Sequence, residues 1–201
     1  HHNDWNIKPL IHGEYPSLIE QIPLAHRPDI KDGDMDIIAA PLDYLGVNYY
    51  TRAKVKDDGT SDPCQLPPPE GSETTAMGWE VYPQGLTDLL VQLHTDYILP
   101  PLLITENGLA SDDFLNDEGE VNDTQRIRYL TTHLQAVANA MEAGVNITGY
   151  FVWSLLDNFE WALGYEKRFG IVYVDYSTQK RTLKASAKKL QNLLMQRKEM
   201  L

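Results

Sequence analysis

Apolar positions along the chain follow two rhythms. Three stretches are almost continuously apolar or aromatic: residues 42–50 (LDYLGVNYY), 101–106 (PLLITE) and 145–155 (VNITGYFVWSL). Runs of this kind suit parallel strands covered on both faces better than half-exposed antiparallel ones. Each stops abruptly at polar residues. Between and after them the spacing is helical. Residues 85–97 place Leu86, Leu89, Leu90, Leu93 and Tyr97 on one stripe, and 124–143 repeat the pattern with Ile127, Leu130, Leu134, Val137 and Met141. Asp123 stands where an N-cap is expected and Gly144 where a helix stop is expected. A closing helix is predicted over 182–196, with Leu183, Ala187, Leu190 and Leu194 inward. A shorter one is predicted over 13–22, with Pro16 in its first turn. Residues 57–72, rich in Gly, Pro and Asp, read as an exposed loop.

Strand and helix alternate three times, an α/β pattern with right-handed crossovers. It fits either a doubly wound open sheet or a piece of a (β/α)8 barrel. No glycine-rich phosphate loop follows any strand, which removes the usual mark of a nucleotide-binding open sheet. A barrel gathers its chemistry in the loops after the C-terminal ends of its strands. The unusual residues here stand at such ends: Asn48, Tyr49 and Tyr50; Glu106 and Asn107; Trp153 through Trp161. The barrel is preferred.

Charge narrows the partners. Lys and Arg total 17 against 29 Asp and Glu, a formal net charge of −12. Such a surface repels phosphate backbones and anionic lipid, so neither nucleic acid nor membrane is expected as a partner, and a neutral substrate suits it better. No run approaches the roughly 18 apolar residues of a membrane span. The first ten residues show neither a basic start nor an apolar core, so no secretory leader is expected there. Cys64 is the only cysteine, which excludes an internal disulfide and any multi-cysteine metal site and fits a cytoplasmic setting. His12, His26, His94 and His133 are scattered singly, so no metal and no other cofactor is expected.

Glu106 ends an apolar strand in ITENG. An isolated acid at a strand end is ordinarily just solvated. Here Asn107 and Gly108 make a sharp exit, Tyr50 ends a second strand and Trp153 a third. A phenol that donates to an ionised carboxylate favours its charged form, as a carboxylate nucleophile requires. Residues 153–170 (WSLLDNFEWALGYEKRFG) add two tryptophans, Phe159 and Glu160 in one strand-end loop. Sugars present flat C–H faces and many hydroxyls, which aromatic platforms and bidentate acceptors match. Trp79, in MGWEVYP, is a further candidate platform.

The blocks LGVNYY (45–50), GWEVYPQGL (78–86), ITENG (104–108) and WSLLDNFEWALGYEKRFGIVYVD (153–175) resemble the C-terminal blocks of glycoside hydrolase family 1, in the right order and spacing. The resemblance covers nearly the whole chain. It implies strands six to eight, with their helices, of a (β/α)8 barrel, as one partial domain over residues 1–201. It also implies a retaining β-glycosidase of β-glucosidase type, with Glu106 as the nucleophile and Tyr50 its hydrogen-bond donor. Asn48 would lie in the glycone pocket, Trp153 beneath the sugar, and Glu160 and Trp161 on its outer hydroxyls. Phe169 would close that pocket and Trp79 would line the leaving-group side. Relatives acting on 6-phosphorylated sugars differ where this chain has Glu160-Trp161, so an unphosphorylated β-glycoside or oligosaccharide is the implied substrate.

One departure matters as much. Retaining hydrolysis needs two carboxyls about 5–5.5 Å apart. The family's acid/base is the Glu of an Asn-Glu-Pro motif, and no Glu in this chain precedes a Pro. Three parallel strands cannot close a barrel and leave two edges open to pairing. The chain alone is therefore expected to be inactive or very weak. Two classes stay open: an enzyme segment complemented by an N-terminal barrel half, or a non-catalytic sugar-binding module that associates with itself.

Overall fold

The computed structural model describes residues 4–57, 59 and 64–198. Its centre is a three-stranded parallel sheet of β1 (Leu45–Tyr49), β4 (Leu102–Asn107) and β5 (Ile147–Val152), in the order β1-β4-β5. Between β1 and β4 the chain forms the hairpin strands β2 (Lys54–Lys56) and β3 (Cys64–Leu66), then helix α3 (Pro83–Asp96). Helix α4 (Thr124–Glu142) links β4 to β5. An antiparallel pair, β6 (Val172–Val174) and β7 (Arg181–Leu183), follows, and α5 (Ala185–Lys198) ends the fold. Two helices precede the sheet, α1 (Asp4–His12) and the short α2 (Asp34–Ile38).

The strands are trimmed versions of the expected ones. The first begins at Leu45 and the third ends at Val152. The 57–72 loop is not featureless: Lys54–Lys56 and Cys64–Leu66 pair as a hairpin, with Cys64 exposed in it, while residues 58 and 60–63 lie outside those described. The helix expected at 13–22 shrinks to a 3-10 segment, Ser17–Gln21. The regular helix instead occupies Asp4–His12, whose apolar spacing is interrupted by polar residues and Pro9.

Helix α3 starts with Pro83, whose fixed φ and missing N–H suit a first turn. It buries Leu86, Leu90 and Leu93. Helix α4 has two apolar stripes where one was expected. Tyr129, Leu130, His133, Ala136, Val137 and Ala140 are buried, and the two alanines, with Val137, join the core against the sheet. Ile127, Leu130 and Leu134 face Leu190 and Leu193 of α5 across a groove of about 320 Å³. Met141, on neither stripe, is 49% exposed. Gly144 does stop α4, at φ 97° where a side chain would be strained.

The last helix begins three residues later than predicted, because Arg181–Leu183 pairs with β6. Leu183 is therefore exposed in a ladder and not inward on a helix, Lys184 is fully buried beside it, and Leu194 is 59% exposed. Ala187 is buried as expected.

Candidate active site

Strand β4 delivers the central acid through an irregularity. Leu102 and Ile104 are buried in the core with Val47 and Tyr49 of β1 and Leu86 and Leu90 of α3. Strict alternation would send Glu106 the same way. Instead Val47 pairs with Ile104 while Asn48 pairs with Glu106, so Thr105 is an extra residue opposite β1. On the other side Ile104 pairs with Tyr150 and Asn107 with Val152, the same single insertion seen from β5. A bulge of one residue reverses the parity beyond it. Glu106 is thereby turned toward the strand-end mouth and Asn107 toward the helices, where it is fully buried.

At the mouth Tyr50 Oη donates to Glu106 Oε2 at 2.6 Å. Burial, then the hydrogen bond and charge of Glu106, push the Tyr50 phenol far above its ordinary range. It remains a proton-bearing donor at any working pH. Three rings form one wall: Tyr50 and Trp79 centroids are 5.6 Å apart, Tyr50 and Phe169 6.2 Å, and Trp79 and Phe169 6.3 Å. Phe169 is buried, whereas Trp79 keeps part of its surface open. Trp79 is carried on a turn beside Glu80, whose carboxylate takes both a 2.8 Å and a 2.9 Å bond from Arg52. That guanidinium holds Glu80 below the usual carboxylate range.

Trp153 follows β5, and its N–H donates to Asn107 O at 3.0 Å. The contact is so close that a Cβ on Gly108 would lie 1.8 Å from Trp153 O, which leaves position 108 to glycine. Glu160 is partly buried. Its carboxyl is raised by that burial and then by the negative charge of Glu106. Asn48, exposed on β1, accepts from Thr105 Oγ1 at 2.7 Å. Trp161 stands apart from the ring wall, 82% exposed, at φ 43°, a left-handed conformation unusual for a bulky residue.

Buried ion pairs anchor the loop that carries Trp153 to Phe169. Asp157 accepts from Arg168 at 2.6 Å, from Lys184 at 2.7 Å and from the Gly170 N–H at 3.0 Å. Lys184 also reaches Asp113 at 2.6 Å, and Arg126 reaches Asp113 at 2.8 Å and Asp123 at 2.5 Å. Three acids and three bases neutralise one another, which burial demands. Burial alone would raise Asp113, but Arg126 and Lys184 outweigh it and hold it low. Lys184 itself is lowered, by burial first and by Arg126 next. Asp123, expected as an N-cap, caps α4 by position only: its carboxylate serves Arg126 and the Ser186 N–H and hydroxyl instead.

Glu106, Tyr50, Trp79 and Phe169 thus meet directly, Glu160 couples to them electrostatically, and Asn48 and Trp153 adjoin through backbone register. Trp161 is on the same loop without touching the wall. Sequence reasoning overlooked Asn107 as more than a turn, and with it Tyr129 and Tyr150; the only signal was its place inside ITENG. The buried Lys184 and Arg126 gave no signal, because cations in a sequence read as surface residues. The groove between α4 and α5 shares no residue with this mouth.

Comparison with known proteins finds similar chains. The family model described as glycosyl hydrolase family 1 matches residues 1–199. The 1,4-beta-D-glucan glucohydrolase of Thermotoga neapolitana is 46% identical over 181 residues, 90% of this chain and 40% of that protein. The beta-glucosidase of an Agrobacterium species is 44% identical, over 93% of this chain and 41% of its own length. Among solved structures, the beta-glucosidase of Thermotoga maritima in complex with noeuromycin superimposes with a TM-score of 0.88 at 42% identity, over 96% of this chain and 43% of that one. The same protein has been solved with deoxynojirimycin. The chain spans about 40% of the length of the curated relatives it matches.

Proposed function

The chain belongs to glycosyl hydrolase family 1, and on that footing we propose that it is the nucleophile-bearing part of a retaining β-glucosidase acting on unphosphorylated β-D-glycosides. The observation that carries this reading is the 2.6 Å bond from Tyr50 Oη to Glu106 Oε2 at the bulged end of a parallel strand. Glu106 attacks the anomeric carbon and forms a glycosyl ester while the bond to the leaving oxygen breaks. Water then displaces the carboxylate with a second inversion, so configuration is retained. Tyr50, a permanent donor, orients the attacking carboxylate. Trp153 lies beneath the sugar, Glu160 and Trp161 hold its outer hydroxyls, Asn48 completes the glycone pocket, Phe169 closes it and Trp79 lines the leaving-group side. The exposure of Trp161 fits a platform that a ligand or the rest of a barrel covers. An acid at position 160 would repel a phosphate.

The proton for the leaving group comes from outside these residues, since none of the chain's glutamates precedes proline. The reading is therefore of strands six to eight of a barrel, one partial domain over 1–201, completed by an N-terminal barrel half in a cytoplasmic setting. Alone the chain is inactive or very weak. A second reading, self-association as a non-catalytic sugar-binding module, draws support from the sheet: β1 and β5 are its edges, and Phe151 and Leu155 are largely exposed.

The test adds a complementing N-terminal barrel segment and a 2-deoxy-2-fluoro-β-glucoside with an activated leaving group, followed by peptide mass spectrometry. Covalent label on Glu106 and restored hydrolysis of an aryl β-glucoside are expected. No label and no turnover in an assembled barrel would sink the enzyme reading. Sugar binding by a stable dimer in their place would favour the second.

A further inference from the structure

The bulge that aims Glu106 has a lock on its far side. Asn107 is fully buried, and every polar atom of its amide is engaged. Its Nδ2 donates to Tyr49 O at 2.6 Å and to Tyr129 Oη at 3.0 Å, and its Oδ1 accepts from Tyr150 Oη at 2.6 Å. The direction of each bond is forced. Tyr49 O can only accept, so the amide nitrogen must face it. Tyr129 Oη donates to Tyr50 O at 3.0 Å, so toward Asn107 it must accept. Burial pushes both Tyr129 and Tyr150 above the ordinary phenol range, so both keep the protons this circuit needs. The backbone joins in, because Asn107 O accepts the Trp153 N–H. One side chain and its peptide thus tie β1, β4, α4 and the exit of β5 together, one residue after Glu106 and two hydrogen bonds, through Tyr129 Oη, from the backbone of Tyr50.

Resting on the nucleophile reading above, we propose that Asn107 is a positioning residue: with Tyr129 and Tyr150 it fixes the one-residue bulge, and so holds the Glu106 carboxylate against Tyr50 Oη in the attacking orientation. Asparagine alone among side chains of this size supplies two donors and an acceptor here. Aspartate keeps the shape but turns a charge toward Tyr49 O and loses both donors. The Tyr150→Phe substitution keeps the ring and removes only the bond to Oδ1.

The experiment is a double-mutant cycle in the assembled barrel. The rate of covalent labelling by the 2-deoxy-2-fluoroglucoside, and the affinity for a reversible glucose-like inhibitor, are measured for the unaltered protein, Asn107→Asp, Tyr150→Phe and Tyr50→Phe, and for each of the first two combined with the third. Asn107→Asp is expected to slow labelling about a hundredfold, as an ångström-scale misplacement does, and Tyr150→Phe about tenfold. Inhibitor affinity should barely move. In the Tyr50→Phe background both further losses should largely vanish, because the bond they align is already gone. Losses that multiply in full in that background would overturn the proposal, since a merely structural role is indifferent to Tyr50. Equal losses in inhibitor affinity and labelling rate would do the same. If Asn107→Asp does not fold, Tyr150→Phe decides the matter. Failure of the unaltered protein to be labelled at Glu106 instead removes the nucleophile reading on which this one stands.

Discussion

His133 sits fully buried on α4, stacked at 3.7 Å on the ring of Tyr129 and tilted against Tyr49 at 5.9 Å. Its Nδ1 lies 2.8 Å from Tyr129 O, which can only accept, so the neutral ring carries its proton on Nδ1 and leaves Nε2 bare. Among the described residues Nε2 has no hydrogen-bond partner. Protonating it would put an unpaired cation in the core, and burial accordingly lowers its pKa from 6.5 to about 4. A base depressed in the folded state binds fewer protons there than in the unfolded chain. Stability is then intact above the unfolded value of about 6.5 and is lost as pH falls toward about 4. The drop from 6.5 to about 4 corresponds to about 3 kcal/mol, a large share of what a domain this size possesses. Urea unfolding followed by tryptophan fluorescence, at steps from pH 7 to 4, measures it. His133→Leu, which cannot titrate, should lose about 1 kcal/mol at pH 7, the worth of one ordinary hydrogen bond. It should then escape the extra acid loss. Parallel stability curves for the two proteins across that window would refute the argument.

Two further substitutions probe the scaffold of the site. Gly108→Ala places a methyl 1.8 Å from Trp153 O; a cost of about 3 kcal/mol is expected, seen as a lower urea midpoint, and an unchanged midpoint would mean that the exit of β5 is looser than described. Lys184→Met removes the fully buried cation shared by Asp113 and Asp157. It should destabilise by about 3 kcal/mol at neutral pH, read as a lower urea midpoint; an unchanged midpoint would mean that Arg126 and Arg168 alone satisfy the two acids.

Periodicity was enough to locate the three parallel strands and the helices between them, because burying a strand on two faces or a helix on one stripe leaves a mark in every turn of the chain. Short motifs were enough to nominate Glu106 and Tyr50, since a carboxylate after ITENG's apolar run and a phenol after LGVNYY must both emerge where parallel strands end. Local pattern could not reveal which way Glu106 turns. Its orientation depends on one unpaired residue, Thr105, in two neighbouring ladders, and register exists only between strands. Nor could it show that Asn107, Lys184 and Arg126 are buried, that Leu183 belongs to a ladder, or that α4 serves two partners. Each depends on charge balance, hydrogen bonds or packing between residues far apart in the chain, and those interactions come into being only when the elements meet.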